Sequence, residues 1–188
     1  MKKIIILFFL TTFSLNSQIL SEKNRAVKIN EILKNRFENV LPELMDKTDI
    51  DMWILISREY NEDPVLKTML PAEWLNARRR TILVFYRDKE NNSLDKLAVA
   101  RYNFGENIIS AWDKEKQPDQ WKRLNEIIDE RNPKKIGLNY SKYFNIADGL
   151  DKTDFEEFTQ NISEKNKAKI VSRSEEHTSE LQSQFRIS

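Results

Sequence analysis

MWILIS, residues 52–57, is the stretch on which the fold turns: a run of apolar side chains closed by a serine, with no charge in it. It is too short to make a helix of its own, and its unbroken apolarity suits a central strand covered on both faces. The flanking sequence must then supply two covering layers. On the N-terminal side, from Ala26 onward, Ile29, Ile32, Leu33, Phe37, Val40, Leu41 and Leu44 fall at the spacing of one buried helix face. That pattern predicts a long amphipathic helix. Pro42 removes a backbone donor inside it and should kink the helix, or split off a last turn ending near Asp46. On the other side, residues 58–71 read as loop. Pro71 and residues 73–80 then predict a short helix with proline near its start and Arg78, Arg79 and Arg80 at its end.

Residues 81–87 (TILVFYR) and 94–102 are β-rich and separated by the polar break DKENNS, so they should pair as an antiparallel hairpin. Residues 117–130 return to helical spacing, with Trp121, Leu124, Ile127 and Ile128 on one face. KIGLN at 135–139 reads as a short strand. Thr153-Asp-Phe-Glu156 has the form of a capping box opening a last helix to about Ser163, and residues 169–172 begin another extended stretch. The order implies an α/β fold, a mixed β-sheet with packed helices.

The two ends stand outside this pattern. Met1-Lys-Lys3 followed by an uncharged run from 4 to 13 and the small, polar residues 14–17 reads as a signal peptide cleaved between Ser17 and Gln18, which predicts an exported, periplasmic or extracellular protein. The apolar run is about half the roughly 20 residues that span a bilayer, so no stable membrane span is expected. The domain then covers residues 18–172. RSEEHTSELQS, residues 173–183, lacks periodicity and caps, and one ordinary choice of codons for it resembles a widely used sequencing adapter. Residues 173–188 are therefore expected to be an artefactual tail, and the natural protein to continue beyond Ser172.

The chain carries 31 Lys+Arg against 30 Asp+Glu, and setting aside the two ends leaves 27 of each. A neutral domain lacks the clustered positive excess that binding a phosphate backbone requires, so nucleic acid is not an expected partner. There is no cysteine, and the single histidine, His177, lies in the suspected tail. No transition-metal site, no serine or cysteine nucleophile and no Gly-rich phosphate loop is expected in this chain, and so no cofactor. Asp49 and Asp51 at the strand entry and Glu59, Glu62 and Asp63 in the loop after it could gather around a hard cation, or be solvated loop acids and helix caps, whereas Asp148-Gly-Leu-Asp151 lacks the remaining ligand positions. The loop after the central strand, with Arg58, Tyr60 and Asn61, is placed where open α/β sheets present ligand-facing residues. It could equally be a hydrated connection. Arg78 and Arg80 could grip a carboxylate or phosphate through guanidinium forks, or simply complement the dipole at the end of their helix.

The succession LPELM at 41–45, IDMWILISREYNEDP at 50–64, KIGLN at 135–139, ADGL at 147–150 and KIVS at 169–172 resembles the N-terminal domain of creatinase/prolidase-like metallopeptidases, a group that includes the Xaa-Pro aminopeptidases. The resemblance implies a mixed-sheet domain that precedes a separate pita-bread catalytic domain, in which two Asp, one His and two Glu hold a divalent metal pair. None of those catalytic motifs occurs in this sequence, so no catalytic or metal residue carries over. The implied role is that of a non-catalytic domain fragment of a secreted peptidase, inactive alone. It would shape substrate access and the assembly of a missing catalytic domain, with peptide as the parent's substrate and a homo-oligomer as a further implied partner state. The alternative is a stand-alone exported ligand-binding domain ending near Ser172.

Overall fold

A computed structural model describes residues 19–141 and 148–172. The expected signal peptide with its Ser17/Gln18 cleavage site and the expected tail with His177 lie outside the described residues. The elements are α1 (Glu22–Asn35), a π-helical turn (Arg36–Val40), α2 (Leu41–Thr48), β1 (Met52–Arg58), α3 (Pro64–Thr68), β2 (Arg80–Asp88), β3 (Ser93–Ala98), β4 (Ile109–Ser110), α4 (Gln120–Arg131), β5 (Ile136–Leu138), α5 (Lys152–Asn161), α6 (Glu164–Lys167) and β6 (Ile170–Ser172). The six strands form one mixed sheet in the order β4-β3-β2-β1-β5-β6, so the fold is α/β with helices packed on a mixed sheet. Among the described residues no helix is long and apolar enough to cross a membrane.

β1 is central and buried along nearly its whole length, as its composition predicts. It runs antiparallel to β2 and parallel to β5. Its alternate side chains enter two cores. Trp53 and Leu55 pack with Leu83, Phe85 and the Leu33, Phe37 and Leu41 of the N-terminal helices. Met52, Ile54 and Ile56 pack with Ile82, Val84 and the Trp121, Leu124 and Ile128 of α4. The hairpin is antiparallel as expected, with Leu83 opposite Ala98, although its second strand leaves the ladder at Ala98 instead of reaching Tyr102.

The N-terminal helix is interrupted beside Pro42, as expected, and its last piece ends at Thr48, close to Asp46. Pro42 has no N–H to give the Glu38 carbonyl, and the chain absorbs the defect just upstream. There the Leu41 N–H reaches back five residues to the Arg36 carbonyl. Two further helical turns then run to Thr48, where Asp49 closes the helix in the left-handed region. Ile29, expected on the buried face, is exposed, and Leu33 is the first buried residue of that helix. The buried guanidinium of Arg36 donates to the Thr68 carbonyl and so ties the π turn to α3.

Residues 73–80 form no helix, which corrects the expectation for the arginine triplet. Ala77 is fully buried, Arg79 adopts φ 50°, and Arg80 is already paired with Arg58 in the β1–β2 ladder. Pairing with a central strand outweighs a weak local helical preference. A helix forms instead within the stretch read as loop, because the Asp63 carboxylate caps the Val65 N–H at 2.7 Å and Pro64 stands in the first turn. For α5 the cap is Asp151, accepting from the Asp154 N–H at 2.9 Å, so Thr153 lies inside the helix and the expected capping box does not form.

Candidate functional site

The C-terminal ends of β1, β5 and β6 and the N-terminal end of β2 open on the same edge of the sheet. Strand periodicity sends Arg58 and Arg80 to the face that already holds Ile54, Ile56, Ile82 and Val84. There they meet α4 and α5. Arg58 grips the Asp154 carboxylate with Nε at 3.0 Å and Nη2 at 2.8 Å. Arg80 Nε donates to Gln120 Oε1 at 3.0 Å, its Nη1 pairs with Glu157, and its guanidinium lies 4.2 Å from the centre of the Trp121 ring. Asp154 is wholly buried between the two arginines, with Arg80 Nη1 3.6 Å away. The hydrogen bond from Arg58 to Asp154 raises the guanidinium pKa. Glu157 is held below the usual carboxylate range, first by the Trp121 indole N–H and then by Arg80. Both arginines are therefore committed to fastening α5 onto the sheet edge.

The remaining loop residues take different roles. Asn61 closes a turn through its N–H to the Arg58 carbonyl at 3.1 Å. Tyr60, at φ 70°, is 92% exposed and its ring is offered to solvent. Glu62 accepts from the Tyr60 N–H and faces Lys67, and Glu59 accepts from the Arg79 N–H at 3.1 Å. The Asp51 carboxylate takes the Lys134 N–H at 2.6 Å. Asp49 holds Lys89 and Lys135, both at 2.9 Å, and the two ammonium groups, Lys135 foremost, lower its pKa to about 2. Asp148 receives the Ser141 N–H. These acids thus serve turns, caps and ion pairs. Among the described residues no group of three His, Cys, Asp or Glu side chains stands close enough to hold a metal.

Two features on this edge are not legible in local sequence. The first is a buried polar node. Trp53 Nε1 donates to Asn139 Oδ1 at 2.8 Å, Asn139 Nδ2 donates to Asp63 Oδ2 at 2.7 Å, and the Asp63 N–H reaches Ser57 Oγ at 2.9 Å. The Asn139 carbonyl accepts from Leu150 N–H at 2.9 Å, which brings Gly149 against the same carboxylate. The second is an open cleft of about 1090 Å³ between the 71–80 segment and the residues that leave β3 and β4. Arg78 and Arg80 line it, while Arg58, Tyr60 and Asn61 do not. Its aromatic wall is Trp74 stacked on Tyr102, 5.0 Å between centroids and 18° between planes, with the Arg78 guanidinium 5.2 Å from the Trp74 ring. Burial pushes the Tyr102 phenol pKa up.

No protein-family model matches this chain, and neither does any curated protein. A solved structure of an Xaa-Pro dipeptidase from Bacillus anthracis is similar to it, at TM-score 0.41 and 13% identity. The match covers 79% of this chain and 34% of that one, so this chain spans about a third of that protein's length.

Proposed function

We propose that this chain is the non-catalytic N-terminal domain of an exported, Xaa-Pro-peptidase-like metallopeptidase, one that shapes substrate access and helps assemble a catalytic domain carrying the metal pair. The observation that supports this reading is the buried node. Trp53, Ser57 and Asp63 come from the second stretch of the sequence resemblance, Asn139 from the third and Gly149-Leu150 from the fourth. Hydrogen bonds and close packing unite them in one buried unit. Stretches that would be loose matches one by one act together as one structural device.

The test is the genomic reading frame downstream of Ser172. A frame that continues should encode a domain with metal-ligating Asp, His and Glu, and the extended protein should hydrolyse an Xaa-Pro peptide when Mn²⁺ is supplied, whereas the 188-residue chain alone should not. A frame that stops near Ser172, or metal-dependent turnover by this chain alone, overturns the proposal. The cleft beside Arg78 favours a second reading, a stand-alone ligand-binding domain, and the same frame separates the two.

A further inference from the structure

The arginines of β1, β2 and α4 differ in their partners from four cations of the cleft. Arg58, Arg80, Arg87, Arg123 and Arg131 each hold a carboxylate. Arg78, Arg79, Arg101 and Lys114 gather on the cleft, and among the described residues their side chains form no ion pair. Arg78 and Arg79 stand on one wall, in the 71–80 segment. Arg101 and Lys114 stand on the segments that follow β3 and β4. Like charges converging on a concave surface repel one another and focus a positive field, so the arrangement favours an anion from outside. Guanidinium groups without an internal carboxylate, including that of Arg78 beside the Trp74 ring, remain available for paired hydrogen bonds to one from outside.

We infer that this cleft binds an acidic peptide segment, an extended chain whose carboxylates are separated by apolar side chains. Charge on two walls calls for a ligand with more than one negative group. The Trp74–Tyr102 stack between them offers apolar surface for side chains that lie between those groups. A volume of about 1090 Å³ exceeds what a single small anion fills. Glu59 and Glu73 share the cleft, which opposes a uniformly anionic polymer such as RNA and tolerates a chain whose charges are spaced by neutral residues. Arg79 is held at φ 50° by its own N–H to Glu59 and by the Glu59 N–H to its carbonyl at 2.6 Å, a left-handed conformation uncommon for a non-glycine residue.

The inference does not depend on the parentage of the domain. It is tested on the 188-residue chain by tryptophan fluorescence and calorimetry, with a short end-blocked peptide alternating Glu and Leu as the probe. Saturable binding is expected that weakens severalfold from low to physiological salt. Arg101→Ala and Arg78→Ala should each weaken it about tenfold, and Lys23→Ala, on α1, should leave it unchanged. Arg101 is exposed and forms no hydrogen bond or ion pair among the described residues, so the melting temperature of that variant should match the parent's and keep the result interpretable. Equal binding of a Gln-for-Glu peptide, equal binding of free citrate, tighter binding of an RNA oligonucleotide, or an Arg101→Ala variant that binds like the parent would each overturn the assignment.

Discussion

Replacing Gly149 by alanine tests the node with a single methyl group. A Cβ at 149 would lie 2.3 Å from Asp63 Cγ and 2.5 and 2.7 Å from its two oxygens, so one side must move. The carboxylate has little room to yield, because it is buried, caps α3 through the Val65 N–H and accepts from Asn139. Losing a helix cap costs about 1 kcal/mol, and losing a hydrogen bond to a buried charge about 2 kcal/mol. Together about 3 kcal/mol should lower the melting temperature of a chain this size by roughly 6–12 °C. Gly137→Ala is the matched control. Its Cβ would meet Ile50 Cγ2 and Cδ1 at 3.1 and 3.2 Å, contacts that a shift of a few tenths of an ångström relieves, so a cost of about 1 kcal/mol, well below that at 149, is expected. The decisive measurement is a double-mutant cycle followed by thermal circular dichroism. With Asp63→Ala already present the obstacle is gone, and Gly149→Ala should cost at least about 1 kcal/mol less than it does in the parent. Additive costs, or Gly137→Ala proving the more damaging of the two, would refute the node as the reason for glycine at 149.

Asp154→Ala should destabilise by about 2 kcal/mol, since it removes the buried acceptor of both Arg58 hydrogen bonds; the cost stays below that of a fully buried pair because the Arg58 side chain is 39% exposed and Glu157 still holds Arg80. A melting temperature equal to the parent's would show that the network does not fasten α5. Acid should act through carboxylates whose folded pKa lies below the unfolded value, so their contribution is present above the unfolded pKa and is lost as pH falls through the folded one. For Asp49 that window runs from its ordinary 3.8 down to about 2. The deficit of Asp49→Asn, under about 1 kcal/mol because the carboxylate is 66% exposed, should therefore shrink across that window and also shrink in salt; a deficit constant with pH would refute the pairing with Lys135 and Lys89.

How much of this could be read from the chain depends on the range of the forces involved. The unbroken apolarity of 52–57, the polar break in the hairpin and the helical spacing of 117–130 are local consequences of burial, and the corresponding β1, β2–β3 and α4 form, although β3 ends at Ala98 and α4 starts only at Gln120. The N-terminal helix is legible in its type but not in its burial: Ile29 keeps the spacing of a core residue in a part of the helix where Leu33 is the first side chain to be buried. Residues 73–80 fail for the opposite reason. They hold a helical pattern, but burial of Ala77 and the pairing of Arg80 with Arg58 leave the segment as turns and coil leading into β2. Cap choice at α5 was a contest between Thr153 and Asp151, each a good N-cap, and packing of Asp154 beneath two arginines selects the one that starts the helix earlier.

The arginine triplet carries the same lesson to the candidate site. Three consecutive residues of one type have three environments. Arg80 sits in register opposite Arg58 and is consumed by Glu157 and Gln120. Arg79 has a left-handed backbone held by Glu59, and Arg78 leans on Trp74 in the cleft. Strand periodicity alone places Arg58 on the face of Ile54 and Ile56, yet only the β1–β2 register reveals that Arg80 joins it there. Trp74 and Tyr102 become neighbours because the hairpin folds residues 98–102 back beside the start of β2, a contact that no local spacing encodes. Composition counts charges without regard to partners. What separates a structural arginine from one available to a ligand is whether the fold has already supplied it with an acid, and on this edge the fold supplies acids to Arg58 and Arg80 and leaves Arg78 and Arg101 facing the cleft.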